Sequence, residues 1–192
     1  MARPRSFDTD EVLNAAMQVF WKKGYTATSL DGITEATGVN KPSLYAAFGD
    51  KSSLFQHVLK RYHAMLLAYM KASLAEDPPR DSIRKWFLSF LPSCAGAAAK
   101  GCLSVNTTLE AASVDEEVVK AVEAFDRREE ALLEAAIRRG VKFGDFSKNI
   151  DPKSAALHLM AAQKGFLVLA RAHPSPANTR RAMEQALSAL DR

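Results

Sequence analysis

The stretch from Ser29 to Phe48 gathers side chains suited to reading duplex DNA. Ser29 and Asn40 are helix-capping types, each opens a short apolar run, and the turn Gly38-Val39-Asn40 separates the two runs. Two helices joined by so short a turn form a helix-turn-helix, whose second member fits a major groove. Ile33, Ala36, Val39, Leu44 and Phe48 are the positions expected to clamp the pair. The opposite face offers Lys41, Pro42, Ser43, Tyr45 and Ala46. Lys41 suits phosphate or guanine, Ser43 donates or accepts, and Pro42 and Ala46 suit a thymine methyl. Tyr45 is placed to reach a phosphate oxygen. Backbone amides at Thr28-Ser29 and at Lys51 open helices, so both ends present a positive dipole to the phosphate chain, and Lys51 adds a full charge.

These groups need a scaffold, and the chain reads as helices with short punctuation. Asp8 stands three residues before Glu11, a reciprocal capping pattern, ahead of Val12, Leu13, Ala16, Val19 and Phe20 at helical spacing. Gly24 closes that helix. Pro42 falls in the first turn after Asn40, where a missing N–H costs nothing. Asp50 caps a run of about 25 residues carrying Leu54, Phe55, Val58, Leu59, Tyr62, Met65, Leu66 and Tyr69. Glu76-Asp77-Pro78-Pro79 breaks it, and a domain boundary is expected there. Further helices are expected over about 80–94, 103–113, 115–140, 151–172 and 176–190. The expected fold is all-α, with a three-helix DNA-binding domain over 1–50, a connecting helix over 51–75 and a helical ligand-binding and dimerisation domain over 76–192.

The 192 residues carry 26 Lys and Arg against 22 Asp and Glu, a net +4 that permits nucleic acid without requiring it. Local balance is more informative: residues 40–61 hold four cations against Asp50 alone. Arg3 and Arg5 suit a minor-groove arm or a solvated tail. No apolar stretch is long enough to span a membrane, and the first residues lack the apolar core of a signal peptide, so a cytoplasmic protein without membrane contact is expected. Cys94 and Cys102 are too few for a disulfide scaffold and are not spaced as a metal pair. His57, His63, His158 and His173 are scattered, and no hydrolase, zinc-protease or phosphate-loop motif occurs, so neither enzyme, metal nor cofactor is expected.

Three runs carry a family resemblance. They are Asp8-Thr-Asp-Glu-Val-Leu-Asn-Ala-Ala-Met-Gln-Val-Phe, Lys23-Gly-Tyr-Thr-Ala-Thr-Ser-Leu, and Gly38-Val-Asn-Lys-Pro-Ser-Leu-Tyr-Ala-Ala-Phe-Gly-Asp-Lys-Ser-Ser-Leu-Phe. Together they resemble the N-terminal domain of the TetR family of bacterial transcriptional repressors over about residues 8–60. The resemblance implies a homodimer that releases a palindromic operator when a small effector binds. It puts Lys41–Phe48 in the recognition helix, Tyr45 on a phosphate and Lys51 at the opening of the fourth helix. Gly32 departs from the family pattern and costs about 1 kcal/mol of helix propensity relative to alanine. Ala46 stands where a larger residue is frequent, which leaves the operator sequence open.

Thirteen apolar residues among the twenty from Ser154 to His173 coat more of that helix than one buried face requires. Leu159, Met160, Phe166 and Leu167, with Met183, Leu187 and Leu190 of the last helix, are read as an isologous four-helix dimer seam in preference to monomer core. Trp86, Phe87, Phe90, Leu91, Cys102, Asn106, Leu109, Phe125, Gln163 and Phe166 are the candidates for an effector cavity, although any one of them equally suits a core. The segment Lys100–Glu110 resembles one family branch that includes electrophile- and copper-responsive repressors. Cys102, two residues from Lys100, is either a stabilised thiolate or, the preferred reading, a buried inert thiol. Glu110 reads as a solvated acid near a helix start. A helical ligand-binding or scaffold protein with a non-functional helix-turn-helix is the competing function.

Overall fold

A computed structural model describes residues 7–94, 100–110, 115–172 and 175–191. Arg3, Arg5 and the run Ala95–Ala99 lie outside the described residues, as does the Cys94 side chain.

Among the described residues the regular elements are all helical: α1 (Thr9–Lys23), α2 (Leu30–Thr37), α3 (Lys41–Phe48), α4 (Lys51–Leu74), α5 (Pro79–Leu88), α6 (Leu103–Leu109), α7 (Glu116–Phe143), α8 (Pro152–Ala172) and α9 (Pro176–Leu187). Leu91–Cys94 and Ser188–Asp191 add single 3-10 turns. The starts of the first four helices are fixed by local chemistry. Asp8 accepts from the amides of Asp10 and Glu11, Ser29 from Gly32, Asn40 from Ser43, and Asp50 from Ser53. Each satisfies an amide that has no partner inside its helix. Gly38 ends α2 at φ +69°, a left-handed position that a side chain would strain.

Packing divides the molecule into two apolar clusters whose border falls part-way along α4. The first joins Phe20 of α1, Ile33 of α2, Leu44 and Phe48 of α3 and Phe55, Leu59 and Tyr62 of α4 to Cys102 just before α6, Leu103 and Val105 of α6, Val118 of α7 and Leu167 of α8. The second takes the far end of α4, Met70 and Leu74, with Trp86 and Phe87 of α5, Leu133 and Ile137 of α7, Leu159 of α8 and Met183 of α9. The Pro78-Pro79 break ends α4 but does not separate the clusters, because the α6 segment packs with the N-terminal helices. The loop between α5 and α6 thereby returns chain from beyond the prolines to the first core.

Several expectations change at this level. Leu159, Met160, Leu167, Met183 and Leu190 are buried within a single protomer, and Leu187 is half-buried against the second core. Leu159, Met160 and Leu167 pack inward from α8, and Met183 and Leu190 pack into the second core, so these five are interior to the protomer and not the surface of a seam. The outer face of α8 instead exposes Leu157, Val168 and Leu169, with Ala161 and Gly165 between them. Ala36, expected to clamp the helix pair, faces solvent, while Ile33, Val39, Leu44 and Phe48 pack as expected.

Candidate nucleic-acid interface and effector cavity

Helix α3 is eight residues long and buries only Leu44 and Phe48. Its remaining circumference therefore belongs to solvent: Lys41, Pro42, Tyr45 and Ala46 are exposed and Ser43 is half-buried. Tyr45, at 49% exposure, has no packing reason to be aromatic. Lys41 pairs with Asp31 of α2 at 2.6 Å across two exposed side chains. Such a contact is worth less than about 1 kcal/mol and yields readily to a phosphate. The amide ends of α2 and α4, capped by Ser29 and Asp50, precede and follow α3 along the chain, and the Lys51 ammonium lies 4.4 Å from the centre of the Tyr25 ring. Thr28 is corrected: it is 2% exposed, and its hydroxyl donates to the Gly24 carbonyl at 2.6 Å, so it clasps the α1–α2 loop and presents no side chain to a ligand.

A cavity opens where the two cores meet. It lies among Leu66 of α4, Phe90, Cys102, Val105 of α6, Phe125 and Glu129 of α7, and Gln163 and Leu167 of α8. Its walls are close-packed and leave room for about one water. Any organic ligand must part the walls. Phe90, Cys102, Phe125 and Gln163 are where the sequence placed them. Trp86, Phe87 and Leu91 are not, since they fill the second core, and Phe166 packs edge-on against Phe87 there. Leu109 is 64% exposed at the end of α6, and Asn106 donates to the Lys100 carbonyl at 3.0 Å, closing the loop ahead of that helix.

Glu129 escaped sequence reasoning. It sits in the charged run Asp126–Glu130, which reads as a solvated face. Its register tells otherwise, because it falls on the stripe Val118, Val122, Phe125, Leu133 and Ile137 that α7 turns inward. It is 6% exposed, and burial pushes its carboxyl up to about 7, against the opposing pull of Lys164. The Lys164 ammonium itself is held by Asp126 at 2.5 Å. Cys102 is buried, in keeping with the preferred inert reading: burial pushes its thiol up, and the Tyr62 hydroxyl donates to the sulfur at 3.3 Å.

Similarity to known proteins agrees with the geometry. Residues 12–58 match the model of bacterial regulatory proteins of the tetR family, and residues 79–186 match that of the Tetracyclin repressor-like C-terminal domain. The chain belongs to the TetR family. It is 32% identical to the HTH-type transcriptional repressor ComR of Escherichia coli K12 over 88% of this chain and 82% of that one. A cysteine-substituted form of the TetR-family regulator CifR, solved with 26-bp double-strand operator DNA, superposes with a TM-score of 0.84 at 31% identity, covering 97% of this chain and 99% of that one. A TetR-family regulator from Agrobacterium tumefaciens shares the fold, with a TM-score of 0.87 at 23% identity over 95% and 97% of the two chains.

In this TetR-family regulator the segment around α6 ties the cavity to the DNA-reading end. Trp21 of α1 donates its indole N–H to the Gly101 carbonyl at 3.1 Å, and Lys100 donates to Gln18 at 2.8 Å. At the other end of α6, Glu110 accepts from the backbone amides of Tyr25 at 3.3 Å and Thr26 at 2.9 Å. Glu110 is thus no solvated helix-start acid. It fastens the α1–α2 loop from outside the N-terminal domain, and sequence spacing gave no sign of a partner 84 residues away.

Proposed function

We propose that this protein is a homodimeric repressor that holds a palindromic operator with α3 of each protomer and lets go when a small molecule enters the cavity beside α6. The observation that carries the reading is the continuity of the first core, in which one apolar cluster runs from Phe48 of α3 to Cys102 and Val105 on the cavity wall. A ligand that parts that wall displaces the same packing that orients α3. Only one separation of two recognition helices fits successive major grooves, so an effector that prefers another separation weakens DNA binding by its difference in affinity.

Lys41, Ser43, Tyr45 and Lys51, with the amide ends at Ser29 and Asn40, are the assigned DNA contacts, joined by Arg3 and Arg5. Pro42 and Ala46 supply apolar contact. The assigned dimer seam is the outer face of α8, where the small residues Ala161 and Gly165 allow close approach between Leu157 and Leu169. Residues 1–50 read DNA, 51–75 connect and 76–192 bind effector and partner. Repression follows the named repressors among the relatives, and a cytoplasmic site of action follows from DNA as the partner. None of this requires catalysis.

The test is fluorescence anisotropy on a labelled palindromic duplex selected by the protein from a random pool. Expected is tight binding that weakens steeply with salt, lost in Tyr45→Ala at unchanged melting temperature. A salt-independent or Tyr45-independent association overturns the reading.

A further inference from the structure

We propose that the effector is a small arylalkyl amine, bound as its ammonium ion with the charged head on Glu129 and the apolar body among Leu66, Phe90, Val105, Phe125 and Leu167. This deepens the ligand-responsive reading and rests on it.

Glu129 is a carboxyl set into an apolar wall, 6% exposed, with Gln163 as its hydrogen-bonding neighbour. The charged and titratable groups facing it come from every helix around the cavity. They are Asp126 on its own helix, Lys164 on α8, the Cys102 thiol beside α6 and the Tyr62 phenol on α4, with the His63 imidazole of α4 stacked on Phe125 of the cavity wall. Burial holds His63 neutral, with its imidazole down to about 4. Lys164 is therefore the single cation among the described residues lining the cavity, and Asp126 holds it.

With Glu129 ionised the cavity contains two carboxylates against one ammonium. An anionic ligand would add a third negative charge in a setting with little water to screen it. A neutral ligand would leave the Glu129 charge uncompensated, so the carboxyl would stay protonated. An ammonium ion alone supplies the missing partner and forms a charge-assisted hydrogen bond shielded from water. Because a ligand must part these close-packed walls to enter, the apolar body must be small. The site also balances its protons. In the empty protein below neutral pH the Glu129 carboxyl carries a proton, and when the ammonium arrives that proton leaves to bulk solvent while the carboxylate forms.

Calorimetry with phenethylamine, phenethyl alcohol and hydrocinnamate tests this, because the three share a body and differ in head group. Expected is binding of the amine at least about tenfold tighter than the alcohol, and no binding of hydrocinnamate. Run near pH 6 in two buffers of different ionisation enthalpy, the amine should release about nine-tenths of a proton, the protonated share of an acid titrating near 7. Glu129→Gln should abolish both the tenfold preference and the proton release while retaining alcohol binding. If that variant fails to fold, proton release by the wild type decides. Equal affinity for amine and alcohol, preference for hydrocinnamate, absence of proton release, or no binding by any of the three overturns the proposal. Operator release measured alongside separates the two readings. Release by a neutral or anionic probe keeps the ligand-responsive regulator and overturns the amine. A protein that never binds operator overturns the regulator, and with it this proposal.

Discussion

The two apolar clusters differ in what holds them and in what they touch. The first is built from four N-terminal helices with the α6 segment, Val118 of α7 and Leu167 of α8, and its surface carries α3, Tyr45 and Lys41. The second is built from α5, α7, α8, α9 and the end of α4, with Trp86 and Phe87 at its centre. Their border crosses α4 between Tyr62 and Met70, and the cavity lies on that border. This asymmetry fixes the route a signal must take. The first core contains both part of the cavity wall and α3, so displacement of α6 reaches α3 through α4, which both helices touch. The Glu110 carboxylate adds a polar strap between the same parts.

The largest expected effects come from hollowing each core. Phe55→Ala and Trp86→Ala both empty a fully buried site and should each lower unfolding free energy by about 3–5 kcal/mol in denaturant melts. Operator affinity measured on the remaining folded protein should separate them: impaired in Phe55→Ala and unchanged in Trp86→Ala. Equal damage to DNA binding by both would show that the division between cores has no functional meaning.

Next comes the strap. Glu110→Ala removes a charged acceptor from two backbone amides of the α1–α2 loop and should destabilise that loop by about 1–3 kcal/mol, visible as faster amide exchange at Tyr25 and Thr26. Effector-driven operator release should weaken with it. Release of full amplitude in this variant would assign the coupling to apolar packing alone. A smaller effect is expected at Lys41→Ala, which breaks a surface ion pair and should lower the salt-dependence slope of operator binding by about one for each phosphate that the ammonium neutralises, with little change in stability.

The same contrast governs what the sequence disclosed. The first core announces itself because its elements are set locally, by Asp8, Ser29, Asn40 and Asp50 at caps and by glycines at stops, and local signals survive in a one-dimensional reading. Exposed Tyr45 and Lys41 followed from that register. The cavity was only partly legible. Phe90, Cys102, Phe125 and Gln163 are present, but Trp86 and Phe87 have the same chemistry and belong to the other core, a choice made by how α5 sits on α7. Leu159 and Met183 looked like a seam because an apolar face does not reveal whether it will meet the same protomer or a partner. Glu129 was hidden by its charged neighbours, although its place on the α7 stripe was available. Glu110 was beyond reach, since its partners depend on tertiary approach of a distant loop.

The smallest expected effect is one the wild type conceals. Burial drives two neighbouring groups of the cavity region in opposite senses, with His63 lowered from 6.5 to about 4 and Glu129 raised from 4.5 to about 7. For His63 the unfolded chain binds the extra proton between about pH 4 and 6.5, so its contribution to stability is present above that window and is lost as pH falls through it. For Glu129 the folded chain holds the extra proton between about pH 4.5 and 7, so stability falls as pH rises through that window. Each slope is at most about 1.4 kcal/mol per pH unit, and over the shared range they nearly cancel. Denaturant melts of the wild type should therefore show almost no contribution from this pair between about pH 4.5 and 6.5. Glu129→Gln should expose a stability that climbs with pH over that range. His63→Gln, which retains a partner for the Ser104 hydroxyl now 3.0 Å from the imidazole Nε2, should expose the reverse. Parallel profiles for all three proteins would mean that both groups titrate as they do in the unfolded chain. The cavity border would then be wetter than the packing of Phe125 on His63, with ring centres 4.2 Å apart, implies.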